Sequence, residues 1–76
     1  MARDPKTAEI LAEMVANVLV VSCEVGDTIA QGDTVILLES MKMEIPVLAE
    51  RAGTVTAIKV TAGDVVQEGD PLVVLD

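Results

Sequence analysis

Short apolar runs alternate with polar turns along the whole chain. Val18–Val21, Val35–Leu38 and Leu72–Leu75 are such runs, and Gly-Asp pairs lie between them. Val, Ile and Thr supply 24 of the 76 residues, and all three residue types favour strands. No segment carries a clear apolar stripe of helical period. The pattern therefore predicts an all-β sandwich or barrel of short strands joined by tight turns.

The chain contains an internal repeat with an offset of 37 positions. Residues 9–39 align with residues 46–76 without a gap, and nine of the 31 pairs are identical. Two residues related by this offset are called repeat mates below. Because neither half can bury its apolar face alone, we expect the halves to pack together about a pseudo-twofold axis.

The repeat assigns local structure to segments that are ambiguous on their own. Ile10–Glu13 corresponds to an extended segment that contains Pro46, so it is predicted to be extended too. The repeat also aligns Val21–Val25 with Ile58–Ala62. Both segments alternate apolar with polar residues and are therefore predicted as strands, with the side chains of 21, 23, 25 and of 58, 60, 62 pointing inward. Cys23 is then a small core residue. The alternative, a redox or nucleophilic thiol, lacks a histidine or an adjacent cation to activate it.

Each half contains two Gly-Asp pairs at the same spacing. They lie within 26–33 and within 63–70. Glycine permits positive φ and aspartate hydrogen-bonds nearby backbone amides, so the pairs predict two consecutive turns in each half. Calcium binding is the alternative, but the spacing does not match an EF-hand loop.

The composition excludes several classes of function. The chain has no His, no aromatic residue and one Cys, which excludes His-based triads, His metal ligands, intrachain disulfides and multi-Cys metal sites. A net charge of −8 and the lack of stacking side chains make nucleic acid an unsuitable partner. No apolar run approaches the ~20 residues that cross a bilayer, so no membrane partner is expected. The lone thiol and the absence of an apolar signal segment indicate a cytoplasmic location.

A lysine flanked by two methionines lies at the centre of the repeat. The two halves leave six residues between them, and the midpoint falls between Lys42 and Met43. Strand-length segments on both sides predict a hairpin with Lys42 at its tip, projecting into solvent. Met41 and Met43 beside a single amine indicate a surface that another protein recognises, whereas the alternative is an ordinary solvated turn lysine.

The segment 38–44, Leu-Glu-Ser-Met-Lys-Met-Glu, resembles the attachment motif of the biotinyl domain, the carrier module of biotin-dependent carboxylases. The resemblance extends over nearly the whole chain, from Ile10 to Leu75, although Ser40 stands where alanine is frequent in that family. It implies a flattened β-barrel (a barrel-sandwich hybrid) of two four-stranded antiparallel sheets with a quasi-twofold internal repeat. The gapless offset leaves no room for the protruding thumb that some members carry.

The resemblance also implies roles for individual residues. Lys42 corresponds to the lysine that biotin protein ligase joins covalently to biotin, and Met41, Met43, Glu39 and Glu44 to its recognition surroundings. The chain would be a small biotin carboxyl carrier-like protein, monomeric and not itself an enzyme. It would move carboxybiotin between a biotin carboxylase and a carboxyltransferase.

Alternatives from the same and from other classes stay open. One is a lipoyl carrier, or a protein that accepts both biotin and lipoate, although lipoyl acceptors usually carry Asp before and Ala after the lysine. Another is an unmodified barrel-sandwich module for protein interaction. The domain is predicted to span residues 9–76 after a flexible leader of residues 1–8, either as a small protein or as a piece of a larger carboxylase subunit.

Overall fold

The computed structural model describes residues 8–76 and is built entirely of strands and turns in that range. Two four-stranded antiparallel sheets have the strand orders β1-β8-β6-β3 and β5-β4-β2-β7. The all-β prediction is confirmed, as are two flattened sheets of four strands each. The strands are β1 (Ala8–Leu11), β2 (Ala16–Val21), β3 (Thr28–Ile29), β4 (Thr34–Ser40), β5 (Met43–Leu48), β6 (Gly53–Ile58), β7 (Val65–Val66) and β8 (Pro71–Leu75).

The strand orders of the two sheets are related by the sequence repeat. An offset of 37 converts β1, β2, β3 and β4 into β5, β6, β7 and β8, within one or two residues at the ends. When each strand of the first sheet is replaced by its counterpart in the other half of the chain, the strand order of the second sheet results. Each sheet therefore contains two strands from each half of the chain, which is the quasi-twofold arrangement that the repeat predicts.

Reciprocal backbone hydrogen bonds join the two halves. The Gly26 N–H donates to the Val55 carbonyl and the Gly63 N–H to the Val18 carbonyl, both at 2.8 Å. Val18 and Val55 are repeat mates, so the two bonds are equivalent under the pseudo-twofold. The turns that follow β3 and β7 form an equivalent pair of bonds with two alanines that are repeat mates. The Gly32 N–H donates to the Ala49 carbonyl and the Gly69 N–H to the Ala12 carbonyl, both at 2.9 Å.

The core follows the same symmetry. Of the fourteen buried apolar residues in the described range, twelve form six pairs of repeat mates. The two remaining are Ala16, whose mate is Gly53, and Cys23, whose mate Val60 packs against the core from a half-buried position. The six pairs are Ala12/Ala49, Val18/Val55, Ile29/Val66, Val35/Leu72, Ile36/Val73 and Leu38/Leu75.

Two sequence-based strand predictions are wrong in their extent. β2 ends at Val21 and β6 at Ile58, so the segments after them are turns and not strands. Val25, predicted to point inward, is 63% exposed because the chain turns at Glu24–Asp27, where the Asp27 side chain accepts the Glu24 N–H at 2.9 Å. The alternation of apolar and polar residues there reflects a turn beside the core.

The connections have equal length in the two halves. The β1–β2 and β5–β6 loops each contain four residues, 12–15 and 49–52, which agrees with the predicted lack of a thumb. Residues 1–7, which make up nearly all of the predicted leader, lie outside the described residues, and Ala8 pairs with Leu75 in the first sheet. No helix in residues 8–76 is long and apolar enough to cross a membrane.

Candidate functional site

The β4–β5 hairpin contains all five residues predicted for the site. Its ladder pairs Ser40 with Met43 and Glu39 with Glu44, leaving only Met41 and Lys42 in the connecting turn. β4 is the longest described strand and lies inside its sheet, paired with β2 on one side and β5 on the other. The turn is therefore held by a strand that is fixed on both edges.

The turn has an unusual backbone for its residues. Met41 has φ of 53° and Lys42 has φ of 65°, and they are the only non-glycine residues with positive φ in the described chain. Positive φ at both central positions of a two-residue loop is the mark of a type I′ hairpin, which usually carries Asn-Gly. A side chain with a Cβ in this region costs about 1–2 kcal/mol per residue. The sequence contains no signal for this strain, because Met-Lys is not a type I′ turn sequence.

The side chains at the tip are directed to solvent. Met41 is 91% exposed and Met43 is 62% exposed, and Lys42 is exposed between them. Within residues 8–76 the Lys42 amine has no hydrogen-bond or ion-pair partner. The amine is thus accessible to another molecule without the loss of a hydrogen bond or ion pair inside this part of the chain.

The base of the hairpin is anchored in the core. Leu38 is 2% exposed and pairs with Ile45, which packs against the core cluster. On the opposite face of the hairpin, Glu39 and Glu44 lie directly across from each other. Like charges in such a cross-strand pair are unfavourable, so this pair does not stabilise the hairpin. The arrangement places negative charge immediately behind an exposed cation.

The tip is not part of a concave site. An open groove runs between the edge strands β1 and β5 and is lined partly by Ile10, Leu11, Val47 and Leu48. None of Met41, Lys42 and Met43 contributes to it. A group joined to Lys42 would therefore extend from the surface and not from this groove.

The other sequence candidates have structural roles. Cys23 is 4% exposed, and burial raises the pKa of its thiol, with the Asp27 carboxylate adding to the increase. A raised pKa leaves less thiolate near neutral pH, which is the opposite of what a nucleophile needs.

The four aspartates of the Gly-Asp pairs close turns, as predicted. Each accepts, at 2.9 Å, the backbone N–H of the residue three positions before it. Positive φ of 90° to 98° at the preceding glycines is typical of the third position of type II turns. No group of three or more metal-ligating side chains occurs within residues 8–76.

A family model described as "Biotin-requiring enzyme", of the biotin/lipoyl type, matches residues 3–75. The chain belongs to this family. The resemblance that the Met-Lys-Met hairpin carries is thereby confirmed over nearly the full length, and the fold described above is that of a biotin/lipoyl domain.

Relatives at the sequence level are described as biotinylated proteins. The chain is 62% identical over 39 residues to the "Biotinylated protein TB7.3 homolog" of Mycolicibacterium smegmatis and to the "Biotinylated protein TB7.3" of Mycobacterium tuberculosis. Each match covers 51% of this chain and 55% of the relative. The matched region is thus about half the length of each relative.

Solved structures with the same fold come from much longer carboxylase chains. A single-chain, multi-domain long-chain acyl-CoA carboxylase superposes with a TM-score of 0.87 and 31% identity over 97% of this chain. The urea carboxylase of Kluyveromyces lactis superposes with a TM-score of 0.88 and 30% identity over the whole chain. The matched regions make up 8% and 7% of those two proteins.

Proposed function

We propose that this protein is a biotin carrier and that biotin is joined to it through an amide at Lys42. The observation that carries the proposal is the geometry of the tip. There the Lys42 amine, which has no hydrogen-bond or ion-pair partner within residues 8–76, lies on a strained two-residue turn between exposed methionines. Membership of the biotin/lipoyl family supports it. So do the names of the mycobacterial relatives, which describe those proteins as biotinylated.

Lys42 acts in this proposal as the nucleophile of a ligase-catalysed acyl transfer. The deprotonated Nζ attacks the acyl carbon of biotinyl adenylate held by a biotin protein ligase. The C–N bond forms and the acyl C–O bond to phosphate breaks, AMP leaves with the electron pair, and the proton from nitrogen passes to a base of the ligase or to water. The amide has no charge, so the net charge changes from −8 to −9.

The neighbours of Lys42 would serve recognition by the ligase. Met41 and Met43 present flexible apolar side chains that pack adaptably against a partner. Glu39 and Glu44 would contact basic groups at the rim of the ligase site. The structure offers a second exposed amine at Lys59, in the loop after β6, and that residue has neither flanking methionines nor a hairpin.

The carrier itself would perform no bond chemistry after loading. Biotin supplies, when bound, a ring nitrogen that can be carboxylated. The protein contributes a rigid base and a tether, which raises the effective concentration of the cofactor at a biotin carboxylase and a carboxyltransferase. We also propose that it is monomeric and cytoplasmic. The net charge of −8 opposes self-association, and a single buried thiol is typical of a reducing compartment.

The test is loading in vitro with a purified biotin protein ligase, ATP and biotin, followed by intact mass. Wild-type protein and Lys59→Arg should each gain one biotinyl group, and Lys42→Arg should gain none. Lys59→Arg is the matched control, because it removes an exposed lysine by the same substitution. Loading of Lys42→Arg would disprove the assignment. Loading of wild type by a lipoate ligase alone would replace biotin by lipoate as the cofactor.

A further inference from the structure

The outer faces of the two sheets differ although their backbones are repeats of each other. In the sheet that carries the hairpin, Pro46, Leu37 and Val20 lie side by side in one row across β5, β4 and β2. Their repeat mates Glu9, Val74 and Ala57 form the corresponding row of the other sheet. Residues that pair directly share one face of a sheet. Both rows point outward, because the neighbours of Leu37 and Val74 along their strands are buried in the core and Val20 is 47% exposed. The first row is apolar throughout, and the second begins with a charge.

The next row, closer to the tip, is mostly polar on the hairpin side and holds one exposed valine. It places Val65 beside Asn17, Glu39 and Glu44 on the hairpin side, and Val65 is 65% exposed. The mate of Val65 is Thr28, which pairs with Thr54. We name the outward residues Val20, Leu37, Pro46 and Val65 the hairpin-sheet face, and their mates Ala57, Val74, Glu9 and Thr28 the opposite face.

The loop beside Lys42 is also more apolar than the corresponding loop of the other half. β2 begins beside the tip, since Asn17 pairs with Glu39, so the loop before β2 lies at the hairpin end. In that loop Met14 and Val15 are 37% and 63% exposed, and their mates are Arg51 and Ala52. The core and the Gly-Asp pairs keep the repeat closely. Met14, Val15, Val20 and Val65 depart from it toward larger or more apolar side chains on the hairpin side, and Val25, whose mate is Ala62, does so at the other end. Folding does not require the two outer faces to differ. The difference is therefore better explained by binding of a partner to the hairpin side.

We infer that the hairpin-sheet face is the docking surface for the enzyme that acylates Lys42, a partner with an apolar patch bordered by basic residues. The inference rests on the proposed function. An enzyme that modifies the amine must approach to bonding distance, whereas enzymes that act on the tethered cofactor can meet it away from the body of the carrier. Leu37 lies four residues before Met41, about 13 Å along the strand. A protein interface of ordinary size buries about 800 Å² on each partner and is therefore wide enough to cover both.

Charge selects this partner over a second copy of the chain. Glu39 and Glu44 lie between the tip and the apolar row, and the chain has a net charge of −8. Two such faces in contact would bring four carboxylates together against only the two Lys42 amines. A partner with Lys or Arg around an apolar centre would pair with them and would be attracted at long range.

The experiment compares two double variants at repeat-mate positions in steady-state loading by a purified biotin protein ligase. Val20→Thr with Leu37→Thr should raise the KM for the carrier about tenfold and leave kcat within about twofold. Ala57→Thr with Val74→Thr is the matched control and should keep both constants within about twofold of wild type. Equal effects of the two pairs, or no effect of either, would overturn the inference. Wild type must first be loaded at Lys42, so failure of the proposed function is seen separately.

A second measurement needs no substitution in the sheet. Amide NMR signals of unloaded wild-type carrier, titrated with the ligase, should broaden first in β2, β4, β5 and β7. Signals of β1, β6 and β8 should stay sharp at the same ligase ratio. Broadening spread equally over both sheets would contradict the inference, as would a concentration-dependent dimer that Val20→Thr with Leu37→Thr dissociates.

Discussion

Met41 and Lys42 hold a backbone conformation that residues with a Cβ rarely adopt. Their φ values of 53° and 65° would suit Asn-Gly at the same two positions. Methionine and lysine occupy these positions instead, so the turn is strained and exposes an apolar side chain and an amine. Strained positions of this kind persist where surrounding structure enforces them, and β4 and β5 supply that structure through the Ser40–Met43 and Glu39–Glu44 pairs.

Replacement of Met41 by glycine should stabilise the protein. Relief of the positive-φ strain exceeds the extra chain entropy that glycine brings to the unfolded state, and the expected gain is about 0.5–1 kcal/mol. Met43→Gly is the control, because Met43 lies in β5 without positive φ, and it should destabilise. Urea denaturation measures both. A Met41→Gly protein less stable than wild type would contradict the strain argument.

The Cys23 thiol should be almost unreactive in the folded protein. Burial raises its pKa and the Asp27 carboxylate adds to the shift, so at pH 8 the native thiolate is depleted as well as inaccessible. Labelling by a thiol reagent is expected to be at least about 100-fold slower than in 8 M urea. Comparable rates in the two conditions would show that the site opens readily and that Cys23 is not a core residue.

The four type II turns join the two halves of the chain in equivalent ways and so produce the pseudo-twofold symmetry. Each ends in an aspartate that accepts a backbone N–H, and each contains a glycine whose own N–H crosses to the other half of the chain. The Gly-Asp motif thus closes its own turn through the aspartate and bonds to the other half of the chain through the glycine. The strands between turns need only supply apolar side chains on one face.

Loss of a turn carboxylate should cost similar stability in the two halves. Asp27→Ala and Asp64→Ala each remove one hydrogen bond of 2.9 Å, and each should lower the free energy of unfolding by about 1 kcal/mol. Asp64→Asn keeps an oxygen acceptor and should lose less than half of that. Chemical denaturation of the three variants provides the values. An Asn variant as unstable as the Ala variant would show that the hydrogen bond is not the cause.

Much at this scale could be predicted from sequence, and the failures have physical causes. The repeat placed the turns, the central hairpin and Lys42, because identical residues at a fixed offset imply one unit used twice. The strand predicted over Val21–Val25 ends at Val21, since a type II turn beside the core leaves the same apolar and polar alternation. Neither the hydrogen bond from the Gly26 N–H to the Val55 carbonyl nor the strain at Met41 has a local sequence signature.

The molecule as a whole has the β4–β5 hairpin at one end and the paired ends of β1 and β8 at the other. β2 runs from the hairpin end to the Glu24–Asp27 turn, where Gly26 bonds to Val55 beside β8. The hairpin and the paired Ala8 and Leu75 accordingly lie at opposite ends. A partner can approach Lys42 without contacting the far end. Met14, Val15, Val20 and Val65 are exposed on the sheet or at the end that such a partner would meet, whereas Val25 is exposed at the far end.

Loading at Lys42 should leave the stability of the body unchanged. The amine is exposed and makes no hydrogen bond or ion pair within residues 8–76, so its acylation alters neither core nor turns. The thermal midpoint is expected to stay within about 2 °C, as for other surface changes. Elution from an anion exchanger should shift later, since one positive charge is lost. A midpoint shift of more than about 5 °C would indicate that biotin packs on the carrier body.

The central claim is that Lys42 carries biotin in the cell, and mass spectrometry of the protein from its native host tests it most directly. Intact mass should show one biotinyl increment on part or all of the population, and fragmentation should place it on Lys42 within Met-Lys-Met. The same protein carrying Lys42→Arg should have only the unmodified mass. A lipoyl increment, a biotinyl group on Lys59, or an unmodified chain from cells that biotinylate other proteins would contradict the claim.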